Sequence, residues 1–391
     1  MTHVTLGFSI KADVDRAVAE AVPLVAGPAP VLALVYVGVA YDAELVLAAL
    51  AERLPAGTPV RGASTQGVTL PGRSYESDRF LAVMLLHSDT VTVRTAEVDV
   101  LAPDPRAAGA ALAAQLGPPP AGPSTTLLMY DPLGGADVTQ LLAGLADGGY
   151  PRLYGGASGQ PWGQMVRTYQ LVGRRAYTSG ALAIALDGLT PVGELTHGAE
   201  GIGLELVATR TDGNQVVELD GRPALDVWCE QLGVAAVRDV ENTANWALGV
   251  RPPAGTSYEG LVTRAPFGFD VDARTLVFQA PIATGATVQV CVRTQQAVMG
   301  GAAAMAQRLA AALAGRTPVV ALSFECGARP APFLGAEDAA AEVVGIQAIL
   351  PAGLPWFGMY AWGEIAPVGE HTEFHNYTFP LCVLCEGPTP A

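Results

Sequence analysis

Four residues in the last third of the chain have side chains that could bind or transform a small molecule. Cys326 and Arg329 lie in ECGARP, directly after an apolar run that predicts a buried strand, and Glu364 and His375 follow. An arginine can hold a carboxylate through two parallel hydrogen bonds, and a glutamate can bind an amine. A cysteine beside a general base can act as a nucleophile. These residue types favour a site for a small polar molecule.

The same residues have structural alternatives that the sequence leaves open. Arg329 could pair with the neighbouring acid Glu325 instead of a ligand carboxylate, and Cys326 could be a small buried residue. Glu364, in WGEI, needs a donor such as Arg329 or a ligand amine if it faces inward. If Glu364 faces outward, it is a surface carboxylate.

Aromatic and glycine residues surround Glu364. Tyr360, Trp362 and Gly363 precede it in MYAWGE, and such aromatic rings could wall a pocket or cap a cationic group. Aromatic rings at a sheet end also belong frequently to a core. Pocket lining is the interpretation we carry forward.

His371 and His375 form H-x-x-x-H, followed by Asn376. On a helix this spacing could bind zinc, but a metalloprotease needs H-E-x-x-H and a third ligand. A strand follows closely here, so we predict neither a metal nor another cofactor. His375 and Asn376 are expected to hydrogen-bond a ligand or a nearby glycine turn.

Composition excludes several classes of function. The formal charge is −15 and basic runs are absent, which argues against a nucleic-acid partner. Lys11 is the only lysine, so the chain has no P-loop and its sequence gives little basis for Schiff-base chemistry. No apolar run is long enough to span a membrane and no signal peptide is evident, so we expect a cytoplasmic protein.

Three segments read alike along the chain, at residues 31–86, 125–186 and 317–384. Each is an apolar strand, an amphipathic helix, a glycine-rich turn and another strand. Ser64 and Ser158 lie in the first two turns, and Gly363 lies in the third. We predict an α/β fold of repeated strand–helix–strand units that form mixed sheets flanked by helices. Ligands bind at such sheet edges in open α/β folds.

Residues near 200–315 follow another pattern and predict an inserted α+β segment. Residues 214–233 read as a strand, a D-G turn and a helix, and residues 276–292 read as a hairpin.

The sequence resembles the FIST domain proteins of bacterial signalling and of eukaryotic ubiquitin ligase adaptors. The resemblance is carried by RGASTQGV, YGGASGQ with YTSGALAIAL, VVELDGRPALDVWCEQLG, LSFECGARP, and WFGMYAWGEIAP with FHNYTFPLCVL. These stretches run in the family's order from about residue 30 to 385. The resemblance implies an N-type region at 1–196 and a C-type region at 197–391.

The resemblance further implies a stand-alone, prokaryotic-type sensory module that recognises an amino-acid-like or small polar metabolite. Any signalling output would then pass through a partner protein. The predicted ligand-binding residues are Ser64, Ser158, Cys326, Arg329, Tyr360, Trp362, Gly363, Glu364, His375 and Asn376. Two alternatives remain: a cysteine-dependent hydrolase or transferase with Cys326 as nucleophile and His375 as base, and a protein-binding scaffold without a small ligand.

Overall fold

The computed structural model describes residues 2–22, 28–164, 166–234, 245–252, 256, 258 and 260–387. Three repeats of one chain path make up most of the fold. Each repeat runs through an edge strand, a helix, a strand, a second helix, a parallel strand, a hairpin and a closing antiparallel strand.

The first two repeats are uninterrupted. The first consists of β1 (His3–Ser9), α1 (Val14–Ala21), β2 (Leu32–Val37), α2 (Ala43–Arg53), β3 (Val60–Ser64), β4 (Gly67–Leu70), β5 (Arg73–Glu76) and β6 (Leu81–His87). The second consists of β7 (Thr92–Val98), α3 (Pro105–Leu116), β8 (Ser124–Tyr130), α4 (Val138–Asp147), β9 (Leu153–Ala157), β10 (Gln170–Val172), β11 (Arg175–Tyr177) and β12 (Ala181–Asp187).

The third repeat contains the insertion. It begins with β13 (Leu189–Thr196). The insertion follows, with β14 (Ala199–Gly201), β15 (Leu206–Asp212), β16 (Gln215–Leu219), β17 (Arg222–Pro223), α5 (Ala224–Leu232), β18 (Trp246–Val250), β19 (Val262–Arg264), β20 (Pro266–Asp270), β21 (Thr275–Phe278) and β22 (Thr287–Arg293). The repeat resumes with α6 (Gln295–Ala312), β23 (Thr317–Cys326), a π-helical turn (Pro330–Leu334), α7 (Ala336–Ile349), β24 (Trp356–Ala361), β25 (Glu364–Val368), β26 (His371–His375) and β27 (Phe379–Glu386).

Aspartates begin the helices of the first two repeats. In α1, α2, α3 and α4 the preceding aspartate accepts a hydrogen bond from a backbone N–H of the first turn; these residues are Asp13, Asp42, Asp104 and Asp137. Thr294 does the same for α6. These caps satisfy donors that the helix itself leaves unpaired, so they fix where each helix starts.

Each repeat builds a mixed six-stranded sheet around a parallel pair, β2 with β3, β8 with β9, and β23 with β24. The sheet orders are β1-β6-β2-β3-β10-β11, β26-β25-β9-β8-β12-β7 and β13-β27-β23-β24-β4-β5. The predicted fold class, mixed sheets flanked by helices with an inserted segment, is confirmed.

The hairpins are exchanged between the repeats in a cycle. The β4–β5 hairpin of the first repeat joins the third sheet, β10–β11 of the second repeat joins the first sheet, and β25–β26 of the third repeat joins the second sheet. In each repeat, the chain therefore passes from its own sheet to a neighbouring sheet at the glycine-rich turn that precedes the hairpin.

Glycine is needed where the hairpins attach. Gly62, Gly155 and Gly358 lie at the same register on the second parallel strand of each repeat, between its parallel neighbour and the incoming hairpin. A Cβ on Gly62 would lie 1.9 Å from the carbonyl oxygen of Val35, and one on Gly155 would lie 1.9 Å from that of Leu128. At Gly62 and Gly155 the neighbouring backbone thus lies too close for any side chain. A Cβ on Gly358 would instead meet the hydroxyl oxygens of Ser323 and Thr69, at 1.8 and 2.1 Å.

The central strands of the three six-stranded sheets are buried on both faces. The inward-facing residues of all three sheets meet in one central core, while their outward-facing residues pack under the helix pairs α1–α2, α3–α4 and α6–α7. Strands buried on both faces read as continuous apolar runs, which explains the sequence pattern.

The insertion has its own sheet and its own core around Trp228 and Phe278. The D-G turn is present, with Asp220 and Gly221 at φ of 49° and 75°.

The predicted hairpin at residues 276–292 is wrong. β21 pairs with β16 and β20, and β22 pairs with β14, β15 and β18.

Candidate functional site

The three glycine-rich turns meet at a turn junction, formed by residues 64–67, 157–160 and 361–364. The N–H of Gly159 donates to the carbonyl of Ser64 at 2.8 Å, and the N–H of Ala157 donates to the carbonyl of Gly363 at 2.8 Å. Trp362 N–H donates to Ala157 at 3.3 Å. The turns thus bond to one another through their backbones and close the junction.

Ser64 and Ser158 are fully buried in this junction. The Oγ of Ser64 accepts from the N–H of Tyr169 at 2.9 Å. The Oγ of Ser158 donates to the carbonyl of Tyr169 at 3.1 Å and accepts from Gln170 Nε2 at 2.8 Å. Both serines therefore secure the segment that leads into β10. Their predicted contact with a ligand stays a prediction.

Gln66 links the junction to the third repeat, and the sequence did not single it out. Its Nε2 donates to the carbonyl of Gly327 at 2.9 Å and to Glu76 at 2.6 Å, and its Oε1 accepts from Trp362 Nε1 at 2.8 Å. Only the position of Gln66 in the first glycine turn could have indicated this role. The indole N–H of Trp362 is thus already paired within the protein.

Glu364 faces inward and is fully buried. One carboxylate oxygen accepts from the N–H and the hydroxyl of Thr378 at 3.0 and 2.8 Å, and the other from Gly363 N–H at 3.2 Å. The thiol of Cys326 lies beside this carboxylate and also favours its charged form. Burial raises the pKa of Glu364 to about 8 against the opposing effect of these donors.

Cys326 is therefore a poor nucleophile in this environment. Burial first, and then the charge of Glu364, raise the pKa of the Cys326 thiol well above its ordinary value. We expect iodoacetamide to label Cys326 in the native protein far more slowly than a free model thiol at neutral pH, since the thiolate is the reactive form. Mass spectrometry of the labelled peptide, with denatured protein as control, measures this. Native labelling at the model rate would contradict it.

Arg329 is fully buried and pairs with acids of the protein. Its guanidinium bonds to the carboxylate of Glu342, and its Nε lies 3.6 Å from Glu325. Its Nη1 donates to the carbonyl of Tyr377 at 3.1 Å. We call Glu325, Arg329 and Glu342 the Arg329 triad. Its geometry agrees with the structural alternative for Arg329, while the predicted ligand contact stays untested.

His375 and Asn376 are also buried, at the end of β26. The Nε2 of His375 donates to the carbonyl of Ala366 at 3.3 Å, and burial lowers the His375 pKa to about 3, so the ring stays neutral. Asn376 holds the insertion, because its N–H donates to Thr263 at 3.1 Å and its Oδ1 accepts from Ala265 N–H at 3.0 Å.

Tyr360 completes the sequence-predicted set. Its ring contacts the third sheet beside Gly67, and its hydroxyl bonds to Ser74 Oγ. The structure thus gathers Cys326, Glu364 and Gly363 at one point, with the other predicted residues around them. Each of these polar side chains has a partner within the protein.

A large cavity lies on the other side of this cluster, in what we call the α6 groove. It has a volume of about 1340 Å³ and runs between α6, β13, the β13–β14 turn and the β25–β26 turn. Its charged lining is of both signs. Arg308 lies 3.0 Å from Glu194, and Arg152 lies 4.0 Å from Glu370.

The sequence-predicted cluster supports the wall of this groove. His197 lines the groove, and its carbonyl accepts from Arg329 Nη1 at 3.4 Å. Ala366 also lines the groove and accepts from His375. Burial, with Arg329 and Arg293 nearby, lowers the pKa of His197 to about 4. A ligand in the groove would lie one residue away from the predicted cluster.

Gly300 marks open space in the groove. It lies on the exposed face of α6, and a Cβ at this position would meet no atom within 4 Å. The small residues of α6 that line the groove are Ala297, Gly300, Gly301 and Ala304. Groove residues come from distant parts of the chain, and none lies in a motif, so no sequence pattern pointed to them.

A smaller cavity of about 370 Å³ lies at the carboxyl end of β2, beside the start of α2. Asp42 there caps the helix, and the guanidinium of Arg167 lies 4.8 Å above the ring of Tyr169. This is where open α/β sheets hold ligands. The α6 groove is the larger of these two cavities, so we place the candidate site there.

Family models match both parts of the chain. The FIST N domain matches residues 31–222, and the FIST C domain matches residues 224–367. The chain belongs to the FIST family. FIST domains are sensory domains of signal transduction. The resemblance seen in the sequence is confirmed, while the division of this FIST protein at residue 196 stays a prediction.

Curated relatives of this FIST protein come from mycobacteria. Two proteins of Mycobacterium tuberculosis, each described as uncharacterized, are 30% identical over 217 residues, which is 54% of this chain and 56% of each relative. An uncharacterized protein of Mycobacterium bovis is 27% identical over 213 residues, 54% of each chain. The chain therefore spans about half the length of the curated relatives it matches.

No helix within the described residues is long and apolar enough to cross a membrane. In the same residues, no group of three or more histidine, cysteine or acidic side chains is arranged to hold a metal ion.

Proposed function

We propose that this FIST protein is a sensory module that binds a small polar, amino-acid-like metabolite in the α6 groove. The single observation that carries the proposal is a cavity of about 1340 Å³ whose walls offer both arginine and glutamate side chains. Ligand pockets commonly have volumes of roughly 300–1,000 Å³. The groove is thus large enough for a metabolite and leaves room along its length.

The charged walls suit a zwitterion. In both ion pairs the side chains keep exposed surface, 53% for each arginine. Such exposed pairs contribute little to stability, so they can exchange partners at small cost. An arginine can then receive a ligand carboxylate, and a glutamate can receive a ligand amine.

The structure also suggests how binding could be passed on to a signalling partner. The wall residue His197 touches Arg329, and β25 leads from the groove back to Glu364 and the turn junction. All three sheets meet at that junction. A ligand that shifts the groove wall would act on elements shared by the three repeats.

The two alternatives receive less support. A cysteine enzyme needs a thiolate at Cys326, where Glu364 opposes one, and a protonatable base at His375, where burial opposes protonation. A pure protein-binding scaffold predicts no small-molecule cavity, whereas the described residues enclose the α6 groove.

Filling the groove should block binding. We expect Gly300→Trp to remove any thermal stabilisation by amino acids or small carboxylates, because the indole would occupy the open space above Gly300. In the unaltered protein, a hundredfold excess over Kd should add about 2.7 kcal/mol of stability. A thermal-shift screen of both proteins measures this.

Gly345→Trp is the matched control. Gly345 lies on the exposed face of α7, has no atom within 4 Å of a Cβ, and is outside the groove lining. The control should keep the ligand response, and Gly300→Ala should keep it too. An unchanged response in Gly300→Trp would reject the groove as the site, and a response in none of the proteins would reject the proposed ligand class.

A further inference from the structure

The α6 groove runs along the open edge of a sheet. β13 is the terminal strand of the third sheet and, among the described strands, pairs only with β27. Four consecutive residues of β13, from Gly193 to Thr196, line the groove. Successive side chains of a strand point to opposite faces. A cavity lined by all four therefore lies beside the strand edge.

The register of β13 shows which backbone groups face outward. The carbonyl of Leu189 accepts from Thr125 Oγ1 at 3.1 Å, so it points away from β27. Pro380, which has no N–H, lies opposite Leu195. In an antiparallel pair, residues alternate between bonding the partner strand and pointing away from it. The outward set therefore includes Leu189, Gly193 and Leu195.

The same strand contains Pro191, which belongs to the outward set. Proline is tolerated in a sheet where its missing N–H would face away from the partner strand. Pro191 thus closes the early part of this edge to pairing. Gly193 and Leu195 keep N–H and C=O groups directed toward the groove.

We infer that the ligand of the α6 groove is a short peptide with free termini, bound in extended form as an added strand on β13. Main-chain bonds supply affinity in this mode of recognition. The inference rests on the proposed function and names the ligand class.

The dimensions of the groove fit this ligand. The groove follows α6 from Thr294 to Arg308, which at about 1.5 Å per residue is roughly 20 Å. An extended peptide rises about 3.4 Å per residue, so about six residues fit that length. The small face of α6 leaves space for peptide side chains, as the open position at Gly300 indicates.

The charges offer partners for both ends of such a peptide. Arg308 and Arg152 can bind a terminal carboxylate, and Glu194 and Glu370 can bind a terminal ammonium. Free alanine could use the charged groups alone. A longer peptide could also use the edge of β13.

Alanine oligomers of increasing length test the inference by isothermal titration calorimetry. Affinity should rise from free alanine to tetra-alanine, by about tenfold for each pair of added main-chain hydrogen bonds. It should level off near hexa-alanine. Gly300→Trp should abolish this binding, and Gly345→Trp should keep it. No binding by any oligomer, or no dependence on length, would overturn the inference.

N-methylation tests the added strand directly. Two tetra-alanines carry N-methyl groups on complementary, alternating residues, so that one blocks the N–H groups facing β13 and the other blocks those facing away. One analogue should lose binding and the other keep it. Equal binding of the two analogues would overturn the strand-like pose. If free amino acids bind in a Gly300→Trp-sensitive way while peptides do not, the peptide inference fails and the proposed function stands.

Discussion

Replacing Arg329 by methionine is expected to lower the free energy of unfolding by about 3–5 kcal/mol, because it leaves the buried carboxylate of Glu342 without its counter-charge. All three members of the Arg329 triad are buried, and the guanidinium contacts both acids. Urea unfolding followed by circular dichroism measures the change. This is among the largest effects we expect from a single substitution.

Two controls separate the triad from a general loss of charge. Arg106→Met removes an arginine whose pair with Asp147, at 2.6 Å, is more than half exposed, and it should change stability by less than about 1 kcal/mol. Burial, and then the charge of Glu342, raise the pKa of Glu325 well above its ordinary value. Both effects favour the uncharged form of Glu325, so Glu325→Gln should destabilise the protein less than Arg329→Met does.

An Arg329→Met protein as stable as the unaltered one would contradict the structural role. It would also favour the sequence-based expectation that Arg329 is free to bind a ligand. Because a destabilised variant can lose ligand binding indirectly, ligand tests belong on Gly300 in the groove and not on Arg329.

The second large effect concerns pH. The folded-state pKa of Glu364 is about 8, above its ordinary value of 4.5. Below pH 4.5 the residue is protonated in both states. Between pH 4.5 and 8 only the unfolded chain releases the proton, so the contribution of Glu364 to stability falls by about 1.4 kcal/mol per pH unit. The fall ends above pH 8, where both states are ionised.

Glu364→Gln removes this dependence. We therefore expect the stability of the unaltered protein relative to Glu364→Gln to decrease by a few kcal/mol between pH 5 and pH 8. Urea unfolding of both proteins at each pH measures the difference. His375 and His197, whose pKa values are lowered by burial, destabilise both proteins alike in acid, so their effect cancels. A difference that stays constant with pH would show that Glu364 is ionised throughout.

Much of the fold could be predicted from the sequence because its signals are local. Apolar runs of strand length, helical spacing and glycine-rich turns recur at matching positions and correctly gave three α/β units. Glycine has two uses at such turns, to admit a ligand or to admit another backbone. The sequence could not choose between them. At Gly62 and Gly155 the structure shows that glycine admits the neighbouring backbone.

The remainder depends on contacts between distant residues, which carry no local signal. The predicted hairpin at 276–292 failed because β21 and β22 each find other partners across the insertion. The α6 groove combines Arg152, Glu194, Arg308 and Glu370 from different repeats. Arg329 and Glu364 attracted attention as charged residues in apolar surroundings. The sequence did not reveal that Glu342, thirteen residues beyond Arg329, completes the ion pair.

The cyclic exchange of hairpins has a consequence for how this chain can be divided. A fragment that ends after β12 would carry the β4–β5 hairpin without the β24 edge it normally joins, and would leave β9 without β25. Unpaired strand edges of this kind promote aggregation. The N-type and C-type regions are thus interlocked: neither can complete its sheets until the other has been synthesised. Folding of the whole must wait for contacts between the two ends of the chain, which favours slow, all-or-none assembly.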